Sequence, residues 1–330
     1  MKPVLILGGS GQAGAGTATL LRQWHPDLPL TIAARDLSKA QRVADELGTA
    51  TAVTIDLHSS DLGLPAGQNY SAVVALLRDD RFNGLRYAQD HGLPYYSISS
   101  GPMEIAPEVV AVANRPSASP VVLASHFFAG TVALAALHAT KEFGRVDSIH
   151  IGAIQDEQDI GGPAALADLA RWATASSAGL VRRDGVFTWL TGDTPAEIGR
   201  IDGSTISGQT ISGLDIPSLA FATGAANVRV DFAVGNDSDQ PLTEVRIDLE
   251  GTDPAGTPLR ATHSLIHQKG QQPLTALGIA LSVERLLTLR GDPVPPGIHT
   301  PESLIDPVYA TERLREVGAD FVELECATTA

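Results

Sequence analysis

Cysteine is almost absent. The 330-residue chain has one, Cys326, so no disulfide can form within it and no cysteine-based zinc site can be built. This predicts a reducing, intracellular compartment. Lysine is scarce too, with Lys2, Lys39, Lys141 and Lys269 as the full set. Cations as a whole are outnumbered: 23 Lys and Arg face 38 Asp and Glu, a formal net charge of −15. A chain of that sign offers no polybasic surface to nucleic acid or an anionic membrane, although a local basic pocket for one phosphate remains possible. Long apolar runs are also missing, since none reaches the roughly 18 residues of a membrane span. The opening run Val4–Leu7 is cut short by glycines with no cleavage-like site after it, which predicts a strand rather than a leader. What is present is globular in composition, 43% hydrophobic and 18% charged. At about 150 residues per domain the length predicts two domains, or one large one. The class these exclusions leave is a soluble cytoplasmic enzyme with a small-molecule substrate.

Short apolar runs at Val4–Leu7, Leu30–Ala34, Ala52–Asp56, Ala72–Leu77, Tyr95–Ile98 and Val121–Ala124 predict buried parallel strands. Helical spacing fills the gaps at Gly14–Trp24, Leu37–Leu47, Phe82–His91 and Ala106–Asn114. Strands alternating with helices predict βαβ units and a doubly wound sheet. Past residue 125 the rhythm changes. Helices are predicted at Thr131–Phe143, Ala164–Ala178, Ala276–Arg290 and Pro301–Val317. Antiparallel strands are predicted at Val146–Ile154, Val186–Leu190, Asn227–Val234, Thr243–Glu250 and Leu259–Ile266, and residues 203–216 read as a Gly/Ser-rich loop with strand fragments. The expected fold is therefore α/β, a Rossmann-type doubly wound parallel sheet followed by an α+β domain with a mostly antiparallel sheet.

Gly9, Ser10, Gly11, Gln12, Ala13 and Gly14 match the GxGxxG pattern. The pattern alone is weak; its place between a strand and a helix gives it meaning. The first glycine allows a tight turn, the second lets backbone approach a pyrophosphate, and the third lets helix and strand pack closely. The helix N-terminus then offers N–H groups to the phosphates. The alternative is a glycine-rich turn without a ligand. At the end of the second strand stand Arg35, Asp36, Ser38 and Lys39. A carboxylate there suits NAD and a cation suits the 2′-phosphate of NADP. Arg35, with Ser38 and Lys39 as further donors, favours NADP, with NAD still possible; Asp36 argues the other way but also suits a helix cap. Asp56 either accepts from the adenine amine or is a solvated loop carboxylate.

One hydride-transfer design pairs a Tyr with a Lys four residues on. The four lysines test this quickly: Lys39, Lys141 and Lys269 follow Arg35, Leu137 and Leu265 at that spacing, and Lys2 has no such position. The short-chain dehydrogenase reading is thereby disfavoured.

The order of segments resembles the saccharopine dehydrogenase-like family of NAD(P)-dependent oxidoreductases over nearly the whole chain. The glycine loop and Ala33-Ala34-Arg35-Asp36 resemble its cofactor domain. Gly92-Leu93-Pro94-Tyr95-Tyr96-Ser97 resembles its fifth strand, with Ser97 where an Asp is usual. Ser125-His126-Phe127-Phe128-Ala129-Gly130 resembles its turn into a helix, with Ala129 in place of Pro, and Thr275–Arg290 with Gly297–Gly318 resembles its closing helices. After the fourth strand Arg78-Asp79-Asp80-Arg81-Phe82 replaces a Gly-Pro-aromatic turn. The resemblance implies a cofactor domain over 1–125, an α+β substrate and dimerisation domain over 126–274, and closing helices over 275–330 that pack back on the first. It implies reduction of a C=N or C=O bond, or the reverse oxidation, at a cleft between domains; a homodimer formed through the exposed sheet of the second domain is a separate expectation. A non-catalytic NAD(P) sensor is the alternative, motivated by the replacements at Ser97 and Ala129.

In an open α/β sheet the chemistry lies beyond the carboxyl ends of the strands, which selects Arg78–Arg81, Ser99–Gly101 and Ser125–Gly130. His126 is the candidate proton donor, because imidazole exchanges protons near neutrality; its alternative is a helix cap. Arg78 either grips a substrate carboxylate or pairs with Asp79 or Asp80. Tyr96 and Ser99 are further substrate candidates, and Tyr95 and Tyr96 alternate across the strand. Gly162, in Gly161-Gly162-Pro163, either receives an anion or only caps a helix. His263 and His267 lack an acidic third ligand, so no metal is expected. Trp172 and Trp189 are expected in the core or at a domain interface.

Overall fold

The computed structural model describes residues 1–324 except 99, 100, 102, 103, 160, 163, 164, 169, 172–177 and 236–241. Its contacts divide the chain into two compact units, residues 1–125 with 275–305, and residues 126–274 with 306–330.

The first unit is a seven-stranded parallel sheet with helices between the strands. Its strands are β1 (Val4–Leu7), β2 (Leu30–Ala34), β3 (Ala50–Thr54), β4 (Ala72–Ala75), β5 (Tyr95–Ser97), β6 (Pro120–Leu123) and β15 (Gly297–His299), in the order β15-β6-β5-β4-β1-β2-β3. The helices are α1 (Gln12–Trp24), α2 (Leu37–Leu47), α3 (Asn83–Asp90) and α4 (Ile105–Ala113), and α7 (Gln272–Leu286) adds most of its length. β1 is wholly buried and central, with Val4–Leu7 in register with Leu30–Ala33 on one side and Ala72–Ala75 on the other. Its alternation serves two cores: Leu5 and Leu7 join Val73, Leu85, Tyr95 and Val121, while Ile6 points to the opposite side. Four strands end earlier than expected, β6 by one residue at Leu123. β3 stops at Thr54, so Asp56 lies in a loop; β4 stops at Ala75; β5 stops at Ser97.

The second unit is built on β7 (Arg145–Asp156), a strand longer than expected. Beside it lie β8 (Gly179–Arg183), β9 (Val186–Leu190), β10 (Pro195–Gly199), β11 (Thr205–Thr210), β12 (Asn227–Gly235), β13 (Thr243–Thr252), β14 (Pro258–His267) and β16 (Asp320–Leu324). The main path runs β10-β11-β12-β7-β13-β14-β16, with β8 on β12 and β9 on β8. Most pairs are antiparallel, as expected of a mostly antiparallel sheet, with β12 running parallel to β7 as the exception. About seventy residues separate the two, ample for the long return a parallel pair needs. The helices α5 (Thr131–Ala139), α6 (Asp215–Thr223) and α9 (Pro307–Glu316) belong to this unit. α5 is buried almost all round, as its sequence VALAALHA requires.

Two expectations change here. The Gly/Ser-rich stretch 203–216 carries its expected strand fragment as β11, and the chain then enters α6, which was not expected; Pro217 sits in the first turn of α6 and Gly224 ends it at φ +77°. The single helix expected at Pro301–Val317 is two, α8 (Pro301–Leu304) and α9. Asp306 caps α9 by accepting the Val308 N–H at 2.9 Å, with Pro307 at its first position. The closing helices therefore do not all return to the first unit. α9 buries Ala310 and Leu314 within the second, and β16 extends the sheet there by pairing with β14. The predicted helix at 164–178 falls largely on residues outside those described, as does Trp172. Trp189 is 46% exposed on β9 rather than in a core. Among the described residues no helix is long and apolar enough to cross a membrane.

Phe321 of β16 lies between two histidines. His263 of β14 stacks on it with ring centroids 5.4 Å apart, and His138 of α5 meets it edge-on at 6.0 Å. Burial depresses both imidazoles below their ordinary value of 6.5; Lys141 and Arg315 depress His138 further, while Glu323 and Glu142 partly offset the effect on His263. The native state thus binds fewer protons than the unfolded chain below pH 6.5, and stability falls as pH drops from there toward the depressed native values. The denaturation midpoint should fall between about pH 7.5 and about pH 5.5, and less steeply in His263→Phe. Equal slopes in the two proteins would remove His263 from the effect.

Candidate functional site

The turn after β1 is dictated by steric contact. Gly8 takes φ +80° and donates its N–H to Ala33 O at 2.9 Å, and Gly11 N–H returns to Gly8 O at 3.0 Å. A Cβ on Gly9 would lie 2.9 Å from Ile6 O, and one on Gly14 would lie 2.7 Å from both Gly8 O and Gly9 Cα. A Cβ on Gly11 would meet only Gly8 O, at 3.3 Å. The left-handed residue is therefore Gly8, one ahead of the motif, while Gly9 and Gly14 are needed for packing. Gly11 is the N-cap of α1 and has no side chain to cap it, and the first turn carries no acid. The N–H groups of Gln12, Ala13 and Gly14 consequently have no intrahelical acceptor, at the positive end of a 13-residue helix.

At the end of β2, Asp36 is committed to the backbone. One carboxylate oxygen accepts from Ser38 N at 3.0 Å, Ser38 Oγ at 2.6 Å and Lys39 N at 3.3 Å. The Ser38 hydroxyl does most to hold this carboxyl below its usual range, aided by the Lys39 N–H. Arg35, Lys39 and Arg42 are exposed and form no ion pair among the described residues. Asp56 is exposed beyond β3 and accepts the His58 N–H at 2.9 Å.

Past β4 and β5 lies a cavity of about 280 Å³ lined by Arg78, Asp79, Tyr95, Ser97, Glu104 and Glu108, among others. Arg78 lines it with its charge already matched, by Asp80 through Nε and by Glu104 at 2.8 Å through Nη1. Asp79 is buried and caps α3, accepting Gly84 N–H at 2.6 Å. Tyr95 is fully buried, and burial with Glu108 and Asp79 nearby pushes its phenol well above its ordinary range. Of the tyrosine pair it is Tyr95 that reaches the cavity. Tyr96 faces the other way, fully buried beside Ser282 of α7, and its candidacy as a substrate contact is corrected on that ground. Glu104 and Glu108 were missed because an acid near the start of a helix ordinarily reads as a solvated dipole partner. Ser99 lies outside the described residues.

His126 sits in the second unit, 8% exposed. Its Nε2 is hydrogen-bonded to Ser218 Oγ at 2.8 Å, and the following N–H, of Phe127, donates to Asp215 Oδ2 at 2.9 Å. Phe128, Ala129 and Gly130 then take three successive positive φ values, 48°, 56° and 95°. A proline at 129 is incompatible with that backbone, because its ring fixes φ near −65°; Ala129 is thereby explained. Asp215 and Ser218 were missed because Asp215 falls at the end of the Gly/Ser-rich stretch 203–216 and Ser218 in a segment for which no element was expected. Gly162 accepts the Leu166 N–H at 3.1 Å, and a Cβ there would meet open space. Among the described residues no group of three or more His, Cys, Asp or Glu side chains could hold a metal ion.

No family model and no curated protein matches the chain in sequence. Solved structures do match in fold. Apo histidine-tagged saccharopine dehydrogenase (L-Glu forming) from Saccharomyces cerevisiae aligns with TM-score 0.68 and 13% identity, covering 98% of this chain and 100% of that one. Amine dehydrogenase from Mycobacterium smegmatis aligns with TM-score 0.52 and 14% identity, covering 92% and 96%. The chain has a saccharopine dehydrogenase-like fold.

Gly14→Ala should destabilise the protein by about 1–3 kcal/mol, because the colliding atoms are backbone and cannot rotate away. Gly11→Ala should cost less than half as much. Chemical denaturation of the two variants checks the order, and a Gly14→Ala midpoint equal to that of Gly11→Ala would contradict the packing role.

Proposed function

We propose that the protein is an NADP(H)-dependent oxidoreductase that reduces a C=N or C=O bond in a small metabolite, or runs the reverse oxidation. The observation that carries this is the turn at Gly8–Gly14: two glycines with no room for a Cβ, and a helix N-terminus with neither a side-chain cap nor an acid in front of it. Such a cradle fits a pyrophosphate. Gly9, Ser10, Gly11, Gln12, Ala13 and Gly14 would hold it. Arg35 and Lys39, joined by Arg42, would hold a 2′-phosphate, since Asp36 is taken up by the α2 cap. Asp56 keeps one carboxylate oxygen for the adenine amine. The two solved structures of the same fold are both dehydrogenases, which supports the reaction class.

The nicotinamide cofactor supplies the hydride when bound. The chain's own task is placement and one proton, and His126 is the proposed donor. Ser218 at Nε2 and the Asp215 grip on the next residue would fix its ring. Arg78 would orient a substrate through contacts beyond those it makes to Asp80 and Glu104. A homodimer is proposed on the strength of β9, an uncharged edge strand with Val186 and Trp189 exposed. The second reading, a non-catalytic NAD(P) sensor, is favoured by one observation: both candidate chemical groups already have partners, His126 in Ser218 and Arg78 in two carboxylates.

Fluorescence titration should show NADPH binding about tenfold or more tighter than NADH, and Arg35→Ala should remove about that factor for NADPH alone. Binding of neither nucleotide would reject the reading, and equal affinities would reject the NADP preference. With a panel of imines and carbonyls, His126→Ala should lower kcat by about 10²-fold or more while NADPH affinity is kept. An unchanged rate removes His126 as the donor, and a panel with no turnover at all favours the sensor.

A further inference from the structure

The second unit carries a recess of about 180 Å³ where the starts of β7 and β12 meet the end of β8. Its polar lining is Ser148, His150, Arg182, Arg183, Asn227 and Arg229, and none of its nine lining residues is acidic. That is unusual for a chain in which acids outnumber Lys and Arg by 38 to 23.

The recess is organised from below. Asp231 is fully buried and holds Arg229 Nε at 2.7 Å and His150 Nε2 at 2.6 Å. Burial alone would raise this carboxyl, but hydrogen bonds from His150, Arg229 and Thr210 together hold it below its usual range. Gripping Arg229 by Nε fixes the guanidinium plane and leaves its two terminal nitrogens uncommitted to that carboxylate. Arg182 spends its Nη1 on two neutral carbonyls, Ala220 O and Ala225 O, both at 3.0 Å. Its guanidinium also lies over the Phe187 ring, 5.5 Å from the centroid. Among the described residues no carboxylate pairs with it, and its buried Nε has no hydrogen-bond partner. The forks left to face the recess are those of Arg183 and Arg229. Arg183 is exposed and forms no ion pair among the described residues. The turn after it, Asp184-Gly185, has both φ positive, the two-residue hairpin form. Asn227 ties that turn to β12 by accepting the Asp184 N–H at 3.1 Å, which keeps Arg183 at the recess.

We propose that this recess binds a phosphate-type oxyanion, either free phosphate or the phosphate group of a small ester. Planar guanidinium forks from two strands suit its oxygens. A recess of about 180 Å³ admits a phosphate with its solvent. The site is separate from the glycine turn and does not rest on the oxidoreductase reading.

The test is isothermal titration of the full chain with inorganic phosphate and with glycerol 3-phosphate, against chloride at matched ionic strength. Three proteins are compared: the unaltered chain, Arg183→Ala, and Arg260→Ala, the last an exposed arginine paired with Glu250 elsewhere on the sheet. Phosphate should bind the unaltered chain and Arg260→Ala alike, and Arg183→Ala about tenfold more weakly. Tighter binding of the ester would identify the ester as the source. Arg183 makes no ion pair among the described residues, so its removal should leave the fold intact; a thermal melt checks this, and Arg183→Lys, which keeps charge but not the fork, should fall between. No binding above chloride, or equal affinity in Arg183→Ala, overturns the proposal.

Discussion

One close approach organises the first unit: α1 lies over the end of β1 with Gly14 against the backbone of Gly8 and Gly9, where a Cβ would stand 2.7 Å from two backbone atoms. The opposite side of the helix is as tight. A Cβ on Gly16 would lie 2.9 Å from the Ala276 Cβ of α7, and Thr17 Oγ1 donates to Ala276 O at 3.4 Å. α1 is therefore a thin helix pressed between the sheet and α7. By propensity it is poor, since each interior glycine costs about 0.5–1 kcal/mol against alanine. Tertiary burial of Thr17, Ala18 and Leu21 offsets that cost, as it does for most helices in folded domains. At the far end, His25 Nε2 meets Glu284 Oε1 of α7 at 2.8 Å, so α7 holds α1 at both ends. The uncapped N–H groups are thereby fixed beside the carboxyl end of the central strand.

The second unit solves a different problem, a strained turn. Two non-glycine residues, Phe128 and Ala129, are held left-handed at a cost of about 1–3 kcal/mol each. Such a conformation persists only where the surroundings over-determine it. Here α6 supplies two constraints: the Asp215 carboxylate on the Phe127 N–H and the Ser218 hydroxyl on His126. Thr131 Oγ1 adds a third by donating to Phe128 O at 3.0 Å. One short helix thus fixes both the backbone of the turn and the ring of the histidine that precedes it.

The parts of this fold legible from sequence are those in which each element carries its own pattern. β1, β2, β4 and β5 are short apolar runs bounded by turn residues, and a strand buried on both faces has to look like that. The parts that were not legible depend on distant partners. β15 and β16 are short segments that become strands only because β6 and β14 offer free edges. α6 was hidden because its sequence, DIPSLAFAT, follows a Gly/Ser-rich stretch without a sharp polar face. The glycine turn was readable in kind, but sequence spacing does not reveal that the left-handed position is Gly8, one residue ahead of the motif. The cavity was less readable: Arg78 was found, but Glu104 and Glu108 meet it only through the path of the chain into α4.

Net charge said little about either candidate site, for a physical reason. At physiological salt, exposed charges are screened beyond about 8 Å, so what a phosphate meets is set by its nearest side chains. Near β2 these are Arg35, Lys39 and Arg42, which form no ion pair among the described residues, while the Asp36 carboxylate is tied into a cap. Near β4 the pattern reverses: Arg78 is matched by Asp80 and Glu104, while Asp79 and Glu108 are buried in the same cavity wall. The carboxyl edge of one sheet thus offers uncompensated cations at one position and compensated or acidic groups at another. The excess of acid elsewhere acts on encounter rather than on the bound state: it weakens indiscriminate attraction of polyanions. A lone phosphate must then earn its affinity from a few arginines in fixed geometry, and that is the condition under which local placement, rather than total charge, decides what the protein binds.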